Sequence, residues 1–238
     1  MIEEMRAIEK SQTWVLIELP LNKTPIDVKW VFKLKLNPDG TISKRKARLV
    51  VRGFLQKQGL DYMEVFAPVA RIETIILVMA LANGRRWPLF QLDVKSAFLN
   101  GPLEEEVYVT QPPGFEVKGC EDKVYRLRKV LYGLKQAPRA WNKVIDSFMI
   151  KHKFLKCPVE HGVYVRFQGD ANLLLMCIYV DDLLITGSNI SEIEKFKGLL
   201  MVEFEMTDLG KLRYFLKLDL LNLAGELLST KENMQQRS

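Results

Sequence analysis

The stretch that most constrains this chain is Leu173–Val180, which runs into Asp181 and Asp182 and continues as Leu183–Thr186 and Gly187. The first run is apolar or aromatic throughout, the pattern of a strand buried on both faces. Two adjacent carboxylates at the end of such a strand are costly unless something compensates their charge. A second short run, Leu89–Val94, reads LFQLDV and also carries an acid at its end, Asp93. Taken singly, Asp93 reads better as a helix N-cap, and Asp181 and Asp182 as hairpin-tip residues. Taken together, two apolar strands aim three acids at one place.

The order of elements from Leu89 onward makes that meeting feasible. It runs strand, insertion, helix, strand pair with the acids at its tip, helix, strand. With an added strand near Tyr164, this is an α+β chain built on the split β-α-β-β-α-β arrangement, in which the first strand lies beside the central hairpin. Pro138 opens a helix over about Arg139–His152, with Trp141, Val144, Ile145, Phe148 and Met149 at helical spacing. The segments HGVYVRF and ANLLLMCIYV read as strands around a turn at 168–170. Ser191 and Glu194 have capping-box spacing before a helix to about Phe204, whose inner face carries Ile193, Phe196, Leu200 and Phe204. A final strand is expected over Tyr214–Leu220.

Upstream, Lys29–Leu36 alternates. Trp30, Phe32, Leu34 and Leu36 share one face, and Lys29, Lys33 and Lys35 the other, which is a half-exposed strand. NPDG at 37–40 is a turn, and a basic arm returns through Lys44, Arg45, Lys46 and Arg48. Arg71–Ala82 reads as a helix closing at Asn83-Gly84, although its isoleucines also permit a strand. Residues 100–119 read as loops with one short strand, Glu106–Thr110.

The chemistry that wants converging carboxylates is divalent-cation chemistry. Like charges a few ångströms apart raise one another's pKa, and a hard cation removes the conflict. Mg²⁺ takes one or two carboxylates and leaves its other positions to water and phosphates. Two such ions roughly 4 Å apart serve an in-line displacement, so the pattern suggests phosphoryl or nucleotidyl transfer. Composition fits without demanding it: the net charge of +6 and pI near 9.1 suit a polyanionic partner. Three cysteines and no C-x-x-C argue against a disulfide scaffold and for a reducing compartment. His152, Cys157 and His161 match no four-ligand zinc spacing. The N-terminus lacks a signal-peptide core, and the apolar runs fall far short of the roughly 20 residues that span a bilayer.

The segments YVDDLLITG and QLDVKSAFLNGPLEEEVYV resemble the two catalytic boxes of reverse transcriptases. KWVFKLKLNPDG followed by KARLVVRGFLQ, then VYRLRKVLYGLKQAPRAWN, then FEMTDLGKLRYFL fall in the matching order around them. The whole pattern, from about Met5 to Leu220, is similar to the Ty1/copia-type retrotransposon reverse transcriptase, and most to plant copia elements. The resemblance implies a right-hand polymerase with fingers (1–86 and 104–137), palm (87–103 and 138–213) and a primer-grip region in a truncated end (214–238). It implies RNA-directed DNA polymerase activity that adds dNTPs to a primer 3′-end on an RNA or DNA template, with two Mg²⁺ ions or Mn²⁺ in their place.

The same resemblance assigns residues. Asp93, Asp181 and Asp182 are the catalytic acids. Asp93, Asp181 and the Val94 carbonyl are the metal ligands, and Asp182 is less directly one. Lys46, Arg48, Phe98, Tyr132 and Gly133 meet the nucleotide, with Phe98 as the aromatic gate against a 2′-hydroxyl. Lys135, Arg139, Lys143, Tyr179, Leu216 and Lys217 meet template and primer. Partners are template, primer, dNTPs and the rest of a Pol polyprotein, with RNase H and integrase, in the cytoplasm within a virus-like particle or in the nucleus. Departures are Lys217, where copia members carry a glycine, and Pro88-Leu89 at the strand start. An end soon after the last box leaves the thumb largely absent and gives the alternative of an inactive relic that only binds nucleic acid.

Overall fold

In a computed structural model of the chain, the structure describes residues 1–36, 41–169, 172–212, 214–215 and 218–219. In chain order the elements begin with α1 (Ile2–Lys10), β1 (Trp14–Ile17), β2 (Val28–Leu36), β3 (Ile42–Val51), α2 (Ile72–Gly84) and β4 (Leu89–Val94). Next come β5 (Tyr108–Val109), β6 (Val124–Leu127), α3 (Ala137–Lys151), β7 (Leu155–Lys156), β8 (Val163–Gln168), β9 (Asn172–Tyr179) and β10 (Asp182–Gly187). The last are α4 (Ile190–Glu203), β11 (Met206–Lys211), β12 (Tyr214–Phe215) and β13 (Leu218–Asp219). The chain divides into two compact units, one of 1–68 with 96–148 and one of 69–95 with 149–238.

The first unit holds two small sheets. β5, β6 and β1 form one antiparallel sheet, and β2 and β3 form a hairpin. Its core gathers Ile8 of α1, Leu49 and Val51 of β3, Val109, Leu127 and the segment Val130–Leu134. Neither α1 nor the β1–β6 pairing is expected from the sequence: α1 is short and charged, and β1 is four residues long. The hairpin corrects the expectation of an inward apolar face. Trp30 is half-buried, with its indole N–H donating to the Pro113 carbonyl at 3.0 Å, but Phe32 and Leu34 are 69% and 55% exposed. Among the described residues the two strands pair only with each other. The expected NPDG turn lies outside the described residues.

The second unit holds a six-stranded antiparallel sheet in the order β11-β4-β10-β9-β8-β7. β4 has the expected bounds, and its burial alternates: Phe90, Leu92 and Val94 are buried, while Leu89, Gln91 and Asp93 are half-buried. On the β4–β10 pair, Leu92 faces Leu183 and Phe90 faces Ile185, so these four share the buried face. α4 buries Ile193, Phe196, Leu200 and Phe204, the expected inner face. α2 is a helix, not a strand, and packs Ile75 and Val78 with Leu175, Cys177 and Leu184. Burial in this apolar cluster pushes the Cys177 thiol up to about 12, which makes it a packing residue without reactivity. Gly162 and Ala70 touch: a Cβ on Gly162 would overlap the Ala70 nitrogen. The Ala70 N–H donates to Ile178 O at 3.0 Å, and the Ile178 N–H donates to Gly162 O at 2.8 Å, so Ala70 and Gly162 bracket β9 near its tip.

Two sequence expectations are corrected here. The N-cap of α4 is Asn189, whose side chain accepts from the Ser191 and Glu192 N–H groups, so Ser191 already sits inside the helix. Glu194 bonds Lys197 rather than closing a capping box. The strand on the outer edge of β4 is β11, not Tyr214–Leu220, where two short strands, β12 and β13, pair with each other instead. β11 was hidden because an edge strand, mostly exposed and shifted in register between Asp208 and Gly210, shows no apolar alternation. No described helix is long and apolar enough to cross a membrane.

Lys197 ties α4 to β11. It is 4% exposed, lies 4.2 Å over the Phe90 ring and pairs with Asp208 at 2.6 Å and Glu194 at 3.0 Å. Burial acts to depress the Lys197 ammonium, but its bonds to Asp208 and Glu194 hold it above 10.5. Burial acts to raise the Asp208 carboxyl, but Lys197 and the Gly210 N–H hold it below 3.8. The depressed acid contributes stability above its ordinary pKa that is lost on acidification. The raised amine contributes stability below its ordinary pKa that is lost in base. Lys197→Met is expected to cost about 1–3 kcal/mol in urea unfolding at neutral pH. The gap from the parent chain is expected to narrow below pH 3.8 and above pH 10.5.

Candidate active site

The acids meet because of strand register. β10 pairs with β4 so that Asp182 lies opposite Asp93, Leu184 opposite Gln91 and Thr186 opposite Leu89. Directly opposite residues of an antiparallel pair share a face. On the flanking strands, Tyr179 lies opposite Asp182 and Thr207 opposite Asp93. A row Tyr179–Asp182–Asp93–Thr207 therefore crosses the sheet near the ends of β9 and β4. Tyr179 also packs on the Ala70–Leu184 apolar cluster.

Asp181 sits in the two-residue turn that joins β9 to β10. Its carbonyl accepts the Val94 N–H at 2.9 Å, which clips the turn onto the end of β4. Of the two turn residues only Val180 has positive φ, at 58°. That is the pattern of a type II′ hairpin turn, which favours glycine at this place. A β-branched residue there stores about 1–3 kcal/mol of backbone strain, and such strain gathers at working sites. The pairing of Tyr179 with Asp182 and the Val94 clip hold the turn in place. The Asp182 carboxylate accepts from Gln91 Nε2 at 2.9 Å. Among the described residues, no group of three or more His, Cys, Asp or Glu side chains is placed to hold a metal ion. Asp93 near the end of β4 and Asp182 at the start of β10 face each other across the strand pair, with Asp181 in the adjoining turn.

In the first unit, three residues expected at a nucleotide come together. The Arg48 guanidinium lies 4.6 Å from the Tyr132 ring centroid, and Phe98 packs on the other ring contact of Tyr132 at 5.3 Å. Arg48 Nε is buried without a hydrogen-bond partner. Glu4 of α1 is nearby: burial pushes its carboxyl up, while the Leu49 N–H and the charges of Arg48 and Lys46 oppose the rise. Sequence reasoning missed Glu4, since nothing in a charged N-terminal stretch marks one acid for burial. Lys46 is half-exposed on β3. Gly133 has a structural task. Its φ is 92°, a Cβ there would overlap the Val51 carbonyl oxygen, and the Val51 N–H donates to Tyr132 O at 2.8 Å.

The cations expected on template already have partners within the first unit. Lys135 Nζ donates to Gln56 O and to the Tyr62 hydroxyl, each at 3.3 Å, and lies over the Tyr62 ring. Arg139 pairs with Glu64, and Lys143 with Glu104 at 2.7 Å. Arg139 and Lys143 border a cleft of about 480 Å³ that also takes in Leu60, Met63, Pro102 and Gln136. Leu216 and Lys217 lie outside the described residues.

Comparison with known proteins adds an independent line. The sequence profile of the family described as "Reverse transcriptase (RNA-dependent DNA polymerase)" matches residues 11–237. The chain is 47% identical over 210 residues to the retrovirus-related Pol polyprotein from transposon TNT 1-94 of Nicotiana tabacum, covering 88% of this chain and 16% of that protein. It is 40% identical over 217 residues to the Pol polyprotein from transposon RE2 of Arabidopsis thaliana, covering 91% of this chain and 15% of that protein. It is 27% identical over 227 residues to the transposon Ty1-MR1 Gag-Pol polyprotein of Saccharomyces cerevisiae, covering 93% of this chain and 12% of that protein. The chain thus spans about a sixth or less of these relatives.

The Gly133 contact can be separated from its backbone angle. Gly59 has a similar φ of 81° but open space around it. Gly133→Ala is expected to cost about 1–3 kcal/mol more than Gly59→Ala in urea unfolding, since only the former adds overlap to strain.

Proposed function

The chain belongs to the reverse transcriptase (RNA-dependent DNA polymerase) family, and we propose that it forms the fingers and palm of a copia-type enzyme that adds deoxynucleotides to a primer 3′-end on an RNA or DNA template. The observation that carries this is the β4–β10 register, which sets Asp182 opposite Asp93 and clips Asp181 to Val94. The palm reading is supported by the strand order β11-β4-β10-β9, which is the fourth, first, third and second strand of a split β-α-β-β-α-β core.

In this reading Asp93, Asp181 and the Val94 carbonyl would hold Mg²⁺, or Mn²⁺ in its place, as a pair of ions. Bound there, the metal supplies charge that offsets the triphosphate and eases loss of the primer 3′-hydroxyl proton. The chain's own residues orient. β4 and the clipped hairpin fix the acids on a rigid sheet, and Asp182 completes the acidic row. Arg48 and Lys46 neutralise triphosphate oxygens. The Tyr132 stack holds the Arg48 guanidinium, whose Nε has no hydrogen-bond partner among the described residues. Phe98 packs under the sugar and excludes a 2′-hydroxyl, with Tyr132 and Gly133 beside the nucleotide. Lys135, Arg139 and Lys143 exchange their intramolecular partners for template phosphates, which makes binding salt-dependent. Tyr179, Leu216 and Lys217 serve the primer. The remainder of a Pol polyprotein, with RNase H and integrase, is the proposed partner in the whole protein.

Extension of a homopolymer template-primer tests this directly. The parent chain is expected to incorporate dNTPs in a Mg²⁺-dependent way, and Asp181→Asn or Asp93→Asn to reduce incorporation to background. Equal incorporation by parent and Asp181→Asn removes the assigned site. Template-primer binding without extension, even with a thumb region supplied, favours a nucleic-acid-binding relic instead. In the same assay, Phe98→Ala is expected to narrow the preference for dNTPs over rNTPs by about tenfold to a hundredfold.

A further inference from the structure

β4 places Gln91 two residues before Asp93, so both side chains lie on one face. Across the β4–β10 pair, Gln91 lies opposite Leu184 and Asp93 opposite Asp182. The 2.9 Å bond from Gln91 Nε2 to Asp182 Oδ1 is therefore a diagonal one. It draws the Asp182 carboxylate back along β4, away from the strand end where Val94 meets Asp181. On the other side of β4, the register shift in β11 sets Gly210 opposite Gln91. Leu184, beside the bond, is 1% exposed, and Gln91 is half-buried, so the bond is partly shielded from water.

The consequence is a division of labour among three acids that the acids alone do not impose. Three carboxylates on one ion would over-neutralise it and hold it too firmly for substrate to share. Two leave room for water and phosphate. We propose that Gln91 is a positioning residue that holds Asp182 out of the metal coordination sphere, so that of the three acids only Asp93 and Asp181 bind metal. This rests on the reading that Asp93 and Asp181 hold a divalent ion.

The test uses Mn²⁺ as probe, with its binding to the full chain followed by electron paramagnetic resonance. Gln91→Met keeps length and loses the donor. It is expected to bind Mn²⁺ about three- to tenfold more tightly than the parent, because a third carboxylate is released to the ion. In primer extension it lowers both the half-saturating Mg²⁺ concentration and kcat. A merely structural defect would loosen the ion as it slows the reaction. In an Asp182→Asn background, Gln91→Met is expected to leave Mn²⁺ affinity unchanged. Gln91→Ala serves in the same way should methionine disturb folding, which thermal unfolding reports. The proposal is overturned if a folded Gln91 variant binds Mn²⁺ no more tightly than the parent, or shows the same gain in the Asp182→Asn background. If Asp181→Asn weakens Mn²⁺ while Gln91→Met does nothing, the Gln91 role alone fails. If Asp181→Asn and the parent bind Mn²⁺ alike, the ion reading fails and the Gln91 role falls with it.

Discussion

The register of β10 on β4 is the constraint on which the rest of this site depends. Side chains alternate across a strand, so a slip of one residue would turn Asp182 to the buried face and bring Leu183 to the front. The packing opposes that slip: Leu183 and Ile185, set against Leu92 and Phe90 away from water, would give way to Asp182, Leu184 and Thr186. The apolar run that looked like a poor place for charge is thus what fixes the charge. The Asp181 carbonyl to Val94 bond then finishes the alignment at the tip.

Around that register the molecule spends strain and polar pairing in specific places. Val180 carries the positive φ that a glycine would carry more easily. Gly162 and Ala70 brace β9 through backbone contact, and Lys197 fastens β11 to the far side through Asp208. In the first unit, Gly53 and Gly133 allow two backbones to cross closely, and this sets Tyr132 beside Arg48 and Phe98.

Much of this is legible in the sequence, for physical reasons that differ by element. β4, β9, β10 and the inner face of α4 are strongly patterned because each packs an apolar face, and their residues emerge as expected. That Asp93 meets the acids of the β9–β10 hairpin follows from topology once the strands are recognised, but the sequence reading brings it to Asp181, and only the register sets Asp182 opposite it. What the sequence conceals is made by pairing rather than by pattern. β11 is a bulged edge strand, and β1 is short enough to take its identity from β6. Asn189 displaces Ser191 as the cap because its side chain reaches two N–H groups. The exposure of Phe32 and Leu34 is set by what packs on the hairpin, which alternation alone does not report. The ion pairs of Arg139 and Lys143 join residues far apart in the chain, and neither pairing is written in local sequence.

The central claim is that Asp93 and Asp181 together bind divalent metal. Iron-mediated backbone cleavage tests it most directly: Fe²⁺ with ascorbate and peroxide cuts the chain where the ion is held. The account predicts cuts at two separated segments, around Asp93-Val94 and around Val180–Asp182, both suppressed by Mg²⁺ and both lost in Asp181→Asn. Cleavage at only one of these segments, or at neither, would contradict it.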